Sequence, residues 1–132
     1  MGTRSLTIVQ DEHGKDICVL YRQMDGYPSG HGEELKQFLS GKRLCNGITM
    51  GRDNARYFNG LGCLAASLVA HFKKGIGEFY LHAAGTRDCW EDYRYFVSPG
   101  EDGINLRCET STARVLYDGP VEDFDTTERD EE

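Results

Sequence analysis

The sequence predicts one α+β domain, in which an antiparallel sheet carries one or two helices packed on one face. The chain has 132 residues, which suits a single domain able to bury roughly two-thirds of its unfolded surface. Runs rich in β-branched and aromatic residues lie towards both ends of the chain, and apolar residues at helical spacing lie between them. We therefore expect a core that needs neither a disulfide nor a metal.

The first two strands are predicted at 4–10 and 16–23, and the polar turn between them predicts a hairpin. After a glycine-rich loop, the stretch 32–41 predicts a short helix that ends near a glycine. The longest helix is predicted over 60–75, where leucines and a phenylalanine recur at helical spacing and two lysines follow.

The C-terminal half predicts four further strands separated by turns. Their sequences are "EFYLHAA", "DYRYFVS", "INLRCET" and "ARVLYDG". Joined to the hairpin they favour an antiparallel sheet with helices on one face. The other face is expected to be partly polar, or to pack on a second copy of the chain in a homo-oligomer.

The charge of the chain is unevenly distributed. The net charge is −7, but 122–132 contain seven acids and one base, so that 1–121 are nearly neutral. This predicts a single domain over 1–121 and an acidic, disordered tail over 122–132. The sequence pI of about 5.1 and the lack of a basic stripe disfavour nucleic acid as a partner.

The cysteines and the hydropathy pattern predict a cytoplasmic protein. The five cysteines are odd in number and none are spaced C-x-x-C, which favours a reducing compartment. No apolar run approaches the roughly 20 residues of a membrane span, and the N-terminus is not typical of a secretory signal. No cofactor motif is recognised.

The loop "YRQMDGYPSGHG" at 21–32 is the first candidate site. Its chemically distinctive residues are Arg22, Asp25, Gly26, Tyr27 and His31. A loop before a helix N-terminus can bind an anion through free backbone amides, and an arginine can clamp phosphate or carboxylate. The alternative interpretation is a connection between a strand and a helix. Asp25, His31 and Glu33 match no metal-ligand spacing, so no metal is expected.

Two further stretches have alternative interpretations. Gly60 and Gly62 fit G-x-G-x-x-[GA] at a helix start, but no βαβ unit surrounds them. We interpret them as glycines that permit close helix packing, with a phosphate contact as the alternative. The segment 85–96 sets arginines beside aromatic residues, which is typical either of a base-binding sandwich or of a sheet edge with surface aromatics.

The stretches "MGTRSLTIV" and "LYRQMDGYPSGHGEEL" resemble a group of small bacteriophage and prophage proteins. These proteins share an N-terminal M-[GA]-T-R-[SC] strand and a Y-R/C-x-x-D-G-Y-P-x-G loop. The resemblance covers Met1 to Leu39 and implies a viral or mobile-element origin and a host-cytoplasmic setting, without an established activity. The matching positions that it highlights are Thr3, Arg4, Arg22, Asp25, Gly26, Tyr27 and Pro28.

Three functions follow as hypotheses. The first is a binding protein that uses Arg4, Arg22 and Tyr27 to capture an anionic, nucleotide-like small molecule, in a phage setting to counter host defence signalling. The second is an inhibitor of a host protein, anchored by exposed Trp90 and Tyr93 with help from the acidic tail. The third is a small phosphodiester hydrolase with His31 or Asp25 as general base, although no G-x-S-x-G or Cys–His arrangement favours catalysis.

Overall fold

The structure, a computed structural model, describes residues 2–45 and 56–127. Two α-helices, a π-helical turn at Pro28–Gly32 and eight strands are described in these ranges. The helices are α1 (Glu33–Leu39) and α2 (Gly60–Phe72). The strands are β1 (Ser5–Gln10), β2 (Asp16–Arg22), β3 (Arg43–Cys45), β4 (Tyr57–Asn59), β5 (Phe79–His82), β6 (Tyr93–Pro99), β7 (Ile104–Thr110) and β8 (Val115–Pro120).

Six of these strands form one sheet in the order β5-β2-β1-β6-β7-β8. The predicted hairpin of β1 and β2 is present, and every neighbouring pair is antiparallel except β1 with β6, which is parallel. The α+β prediction is therefore confirmed, with a sheet that is mostly rather than wholly antiparallel. The parallel pair places the N-terminal hairpin beside the C-terminal strands.

The main core lies between the sheet and the two helices. Alternate residues of the strands meet Leu35 and Leu39 of α1 and Leu64 and Leu68 of α2, all of which are fully buried. The buried apolar residues recur about every 2 residues in the strands and about every 3.6 residues in the helices, as the sequence pattern predicts. A smaller cluster on the opposite face of the sheet contains Leu6, Ile8 and Val19.

The segment after β8 belongs to the folded domain as far as it is described. Residues 121–123 form a 3₁₀ turn, and Val121 and Phe124 are buried. The Lys36 ammonium group donates to the backbone oxygen of Phe124 at 2.8 Å, and the Thr126 hydroxyl donates to Glu33 at 2.5 Å. This differs from the expectation of a disordered tail from 122 onwards, because the tail begins with an aromatic anchor; residues 128–132 lie outside the described residues.

Candidate functional site

Arg22, the last residue of β2, is a charged side chain buried at the bottom of a surface cleft. Only 6% of it is exposed. Its Nη1 donates to Glu34 Oε1 at 2.7 Å and to His31 Nδ1 at 3.0 Å, and its Nη2 lies 3.5 Å from Glu78 Oε2. The guanidinium carbon also lies 4.9 Å from the centre of the Phe79 ring. These partners compensate the cost of removing the charge from water.

His31 holds Arg22 from inside the protein. An arginine can only donate, so Nδ1 of His31 carries a lone pair, and its Nε2–H donates to the Thr7 hydroxyl at 2.6 Å. Burial lowers the pKa of His31 to about 3, with the Arg22 charge adding to the effect. The imidazole is therefore neutral, fully buried and occupied at both nitrogens. It orients Arg22 but is not placed to reach a substrate.

The cleft beside Arg22 lies between α1, the C-terminal end of α2 and the loop 75–78. Its volume is about 770 Å³, within the range of roughly 300–1,000 Å³ that is usual for small-molecule sites. Phe72 and Phe79 line the cleft together with Arg22. The elements that form the cleft come from separate parts of the chain. The main core between the sheet and the two helices holds them in place.

A stacked pair of rings forms part of the cleft wall. The rings of Phe38 and His71 are nearly parallel, with centres 4.2 Å apart, and both residues line the cleft. Desolvation, together with the nearby charge of Lys74, lowers the pKa of His71. The ammonium group of Lys42 lies 5.1 Å from the centre of the Phe38 ring. Such a wall offers an aromatic surface with a cation beside it.

Cations outnumber carboxylates around the cleft. Arg22, Lys42 and Lys74 line it, against Glu34 and Glu78. This local excess of positive charge is found in a chain whose net charge is −7. The cleft can therefore attract an anionic group in spite of the overall charge of the chain.

The glycine-rich loop 21–32 packs against the sheet. The backbone of Gly26 donates to Thr3 O at 2.9 Å and accepts from the Tyr95 hydroxyl at 2.7 Å. A Cβ on Gly26 would lie 2.8 Å from that of Ser5, and one on Gly32 would lie 3.0 Å from the Phe124 ring. The backbone N–H groups of Gly30 and Gly32 donate to Tyr27 O, and that of His31 donates to Asp25 O. The amides before α1 are therefore already bonded within the loop and are not free to bind the expected anion.

The other predicted site residues of the N-terminal region do not line the cleft beside Arg22. Asp25 is exposed, has φ of 63°, and accepts from the Tyr27 hydroxyl at 3.2 Å rather than from an arginine. Arg4 donates its backbone N–H to Asp92 at 3.1 Å. Of the predicted residues Arg4, Arg22, Asp25, Gly26, Tyr27 and His31, the structure brings only Arg22 to the cleft, with His31 directly behind it.

Gly60 and Gly62 lie at the opposite end of α2 from the cleft. A helix of 13 residues is about 20 Å long, so these glycines do not share a site with Arg22. Within the described residues, a Cβ on either glycine would meet no atom within 4 Å, so packing against that part of the chain does not require glycine at these positions. Gly60 instead has φ of 83°, which glycine adopts without strain.

The arginines of the segment 85–96 have carboxylate partners within the protein. Arg87 pairs with Asp16 at 2.9 Å, and Arg94 pairs with Glu109 at 3.0 Å. Tyr93, expected as an exposed anchor, is only 7% exposed because it points into the main core. Trp90 is 85% exposed, as the inhibitor hypothesis requires.

Sequence reasoning missed most of the cleft. Its additional residues with polar, charged or aromatic side chains are Glu34, Gln37, Phe38, Lys42, His71, Phe72, Lys74, Glu78 and Phe79. The signal that could have found some of them is "KKGIGE" at 73–78, where two lysines precede an isoleucine between glycines. An interaction of those lysines with the helix dipole would not by itself place Lys74 in the cleft wall.

Comparisons with protein-family models, with curated proteins and with solved structures found no match for this chain. Over residues 2–45 and 56–127, no cluster of three or more histidine, cysteine or acidic side chains could hold a metal ion. In the same ranges no helix is long and apolar enough to cross a membrane. The geometry of the cleft is therefore the basis for a functional assignment.

Proposed function

We propose that this protein captures an anionic, nucleotide-like small molecule in the cleft beside Arg22. The observation that carries the proposal is a buried and pre-oriented arginine at the bottom of a cleft of about 770 Å³, which has a stacked aromatic pair in its wall. A phosphate would contact Arg22 with Lys42 or Lys74, and a base would lie against Phe38 and His71. Each charged hydrogen bond would contribute on the order of 1.5–3 kcal/mol.

Binding without turnover is the form of this function that the cleft supports best. His31, the first candidate for a general base, is neutral, buried and bonded at both nitrogens. Asp25, the second, does not line the cleft. The resemblance of residues 1–39 to phage proteins favours a host signalling nucleotide as the ligand. The hypothesis of a protein inhibitor loses one of its two anchors, because Tyr93 is buried.

Isothermal titration with AMP, ADP, cyclic AMP and the corresponding guanine nucleotides tests the proposal. The Lys74→Glu variant reverses a charge at the cleft and should weaken binding at least tenfold, since it replaces an attraction by a repulsion. Lys15→Glu makes the same change in the exposed hairpin turn and is the matched control. Absence of binding by the unmodified chain to every nucleotide, or equal losses in the two variants, would contradict the proposal.

A further inference from the structure

Glu78 occupies one side of the arginine that the ligand is proposed to contact. Its carboxylate lies 3.5 Å from Nη2 of Arg22, while Glu34 and His31 both bind Nη1. The Nε of Arg22 is buried and has no hydrogen-bond partner among the described residues. An incoming anion would therefore compete with the Glu78 carboxylate for Nη2, where the existing contact is the longer one.

The two carboxylates differ in how firmly they are held. Glu34 belongs to α1 and contacts Arg22 at 2.7 Å, which is a short charged hydrogen bond. Glu78 belongs to a loop, makes the longer contact of 3.5 Å, and its side chain is 41% exposed. An anion that competes for Arg22 would therefore replace Glu78 rather than Glu34.

The backbone around Glu78 is held by hydrogen bonds, so that the partly exposed side chain is the part that can move. Glu78 has φ of 66°, a left-handed conformation that costs a residue with a Cβ about 1–2 kcal/mol. Its backbone oxygen accepts from the Gln23 N–H at 2.8 Å. An anion would therefore move the Glu78 side chain and leave its backbone in place. Lys73 fixes the base of the loop by donating to Gly77 O at 2.9 Å and Phe79 O at 2.8 Å.

We propose that Glu78 is an internal counter-ion that the ligand's anionic group displaces from Nη2 of Arg22. This inference rests on the proposed function and narrows the ligand class. A group that replaces a carboxylate has to bind the guanidinium more strongly than a carboxylate does. A terminal phosphate, which carries close to two charges and several acceptor oxygens, meets that condition better than a singly charged phosphodiester. The ligand is therefore a nucleotide with a terminal phosphate.

AMP and cyclic AMP are suitable probes, because they share base and ribose and differ in the charge of the phosphate. Their affinities are measured by isothermal titration for the unmodified chain and for Glu78→Gln, Glu78→Gly and Glu101→Gln. Glu101 is exposed in the turn between β6 and β7, so its variant removes the same charge away from the cleft. Glu78→Gly also removes the cost of the left-handed conformation. It therefore gives a second measurement if Glu78→Gln does not fold.

The unmodified chain is expected to bind AMP more tightly than cyclic AMP. Both Glu78 variants should bind AMP about three- to tenfold more tightly than Glu101→Gln does. This gain is larger than expected for losing an exposed charge pair and smaller than for losing a buried one. If the unmodified chain binds AMP but the Glu78 variants gain nothing over Glu101→Gln, the inference is wrong and the proposed function stands. If neither the unmodified chain nor any variant binds either probe, both proposals fail together.

Discussion

Arg22 is oriented by a neutral histidine on its buried side and by carboxylates on its exposed side. The Thr7 hydroxyl accepts from His31, and His31 accepts from Arg22, so that the chain of hydrogen bonds has a single direction. This direction requires the Nε2–H tautomer of the imidazole. A proton added to Nδ1 would break the bond to Arg22 and place two cations in contact. The arrangement therefore depends on a neutral His31.

The low pKa of His31 predicts a specific loss of stability in acid. Its folded-state pKa of about 3 lies below the unfolded value near 6.5. The unfolded chain thus binds more protons between these values, and the contribution of His31, complete above pH 6.5, is lost as the pH falls towards 3. That loss amounts to about 2 kcal/mol between pH 7 and pH 5. Urea unfolding of the unmodified chain and of His31→Gln at pH 7, 6 and 5 measures it.

In this experiment His31→Gln should show a shallower fall in unfolding free energy with decreasing pH than the unmodified chain. His13→Gln is the control, because His13 is an exposed histidine in the hairpin turn and should keep the steep fall. Parallel pH profiles for the unmodified chain and His31→Gln would show that His31 is not held neutral in the folded protein.

At the scale of elements, the C-terminal segment holds α1 against the sheet. The Glu122 carboxylate accepts from the backbone N–H of Gly41 at 2.8 Å, just beyond the end of α1. Phe124 lies beside the Tyr117 ring, with centres 5.2 Å apart, and against Gly32 before α1. The segment therefore contacts both ends of the helix that carries Glu34 and Phe38 at the cleft.

Phe124→Ala should lower the free energy of unfolding by about 3–5 kcal/mol, because it leaves a cavity where a fully packed ring was. Asp123→Asn changes an exposed neighbour in the same segment and should alter it by less than about 0.5 kcal/mol. Urea denaturation of both variants is the measurement. Similar stabilities for the two would mean that residues 122–127 lie on the domain without stabilising it.

The elements that the sequence predicts well are those with local causes. The periodic pattern of apolar residues in β1, β2 and α2 involves residues close together in the chain, so the sequence alone predicts these elements. The parallel pairing of β1 with β6 joins segments far apart in the chain and has no local signal. The cleft also depends on contacts between distant parts of the chain. The residue type of Arg22 marks it as a candidate, but Glu78 and Lys74 are brought to the cleft only by the packing of β5 and α2.

On the scale of the whole molecule, the cations that favour an anion line the cleft, whereas most of the acidic residues of the chain do not. The cations of the cleft line the space that the ligand would fill. The acidic residues are concentrated after residue 121, and 128–132 alone carry three net negative charges. Salt screens exposed charges beyond about 10 Å at 0.1 M, and screens close, partly buried contacts much less. Attraction and repulsion should therefore respond differently to ionic strength.

The affinity for AMP should change by less than about threefold between 20 and 150 mM NaCl, since salt screens the repulsion by acidic residues that do not line the cleft while the close contacts persist. A chain that ends at Thr127 should bind AMP more tightly than the full chain at 20 mM NaCl, and equally well at 150 mM, because it lacks three net negative charges. Titration calorimetry of both chains at the two salt concentrations measures these affinities. A steep, tenfold or greater loss of affinity with salt in both chains would instead indicate a nonspecific surface attraction, and Arg22 would then not be the anchor of the site.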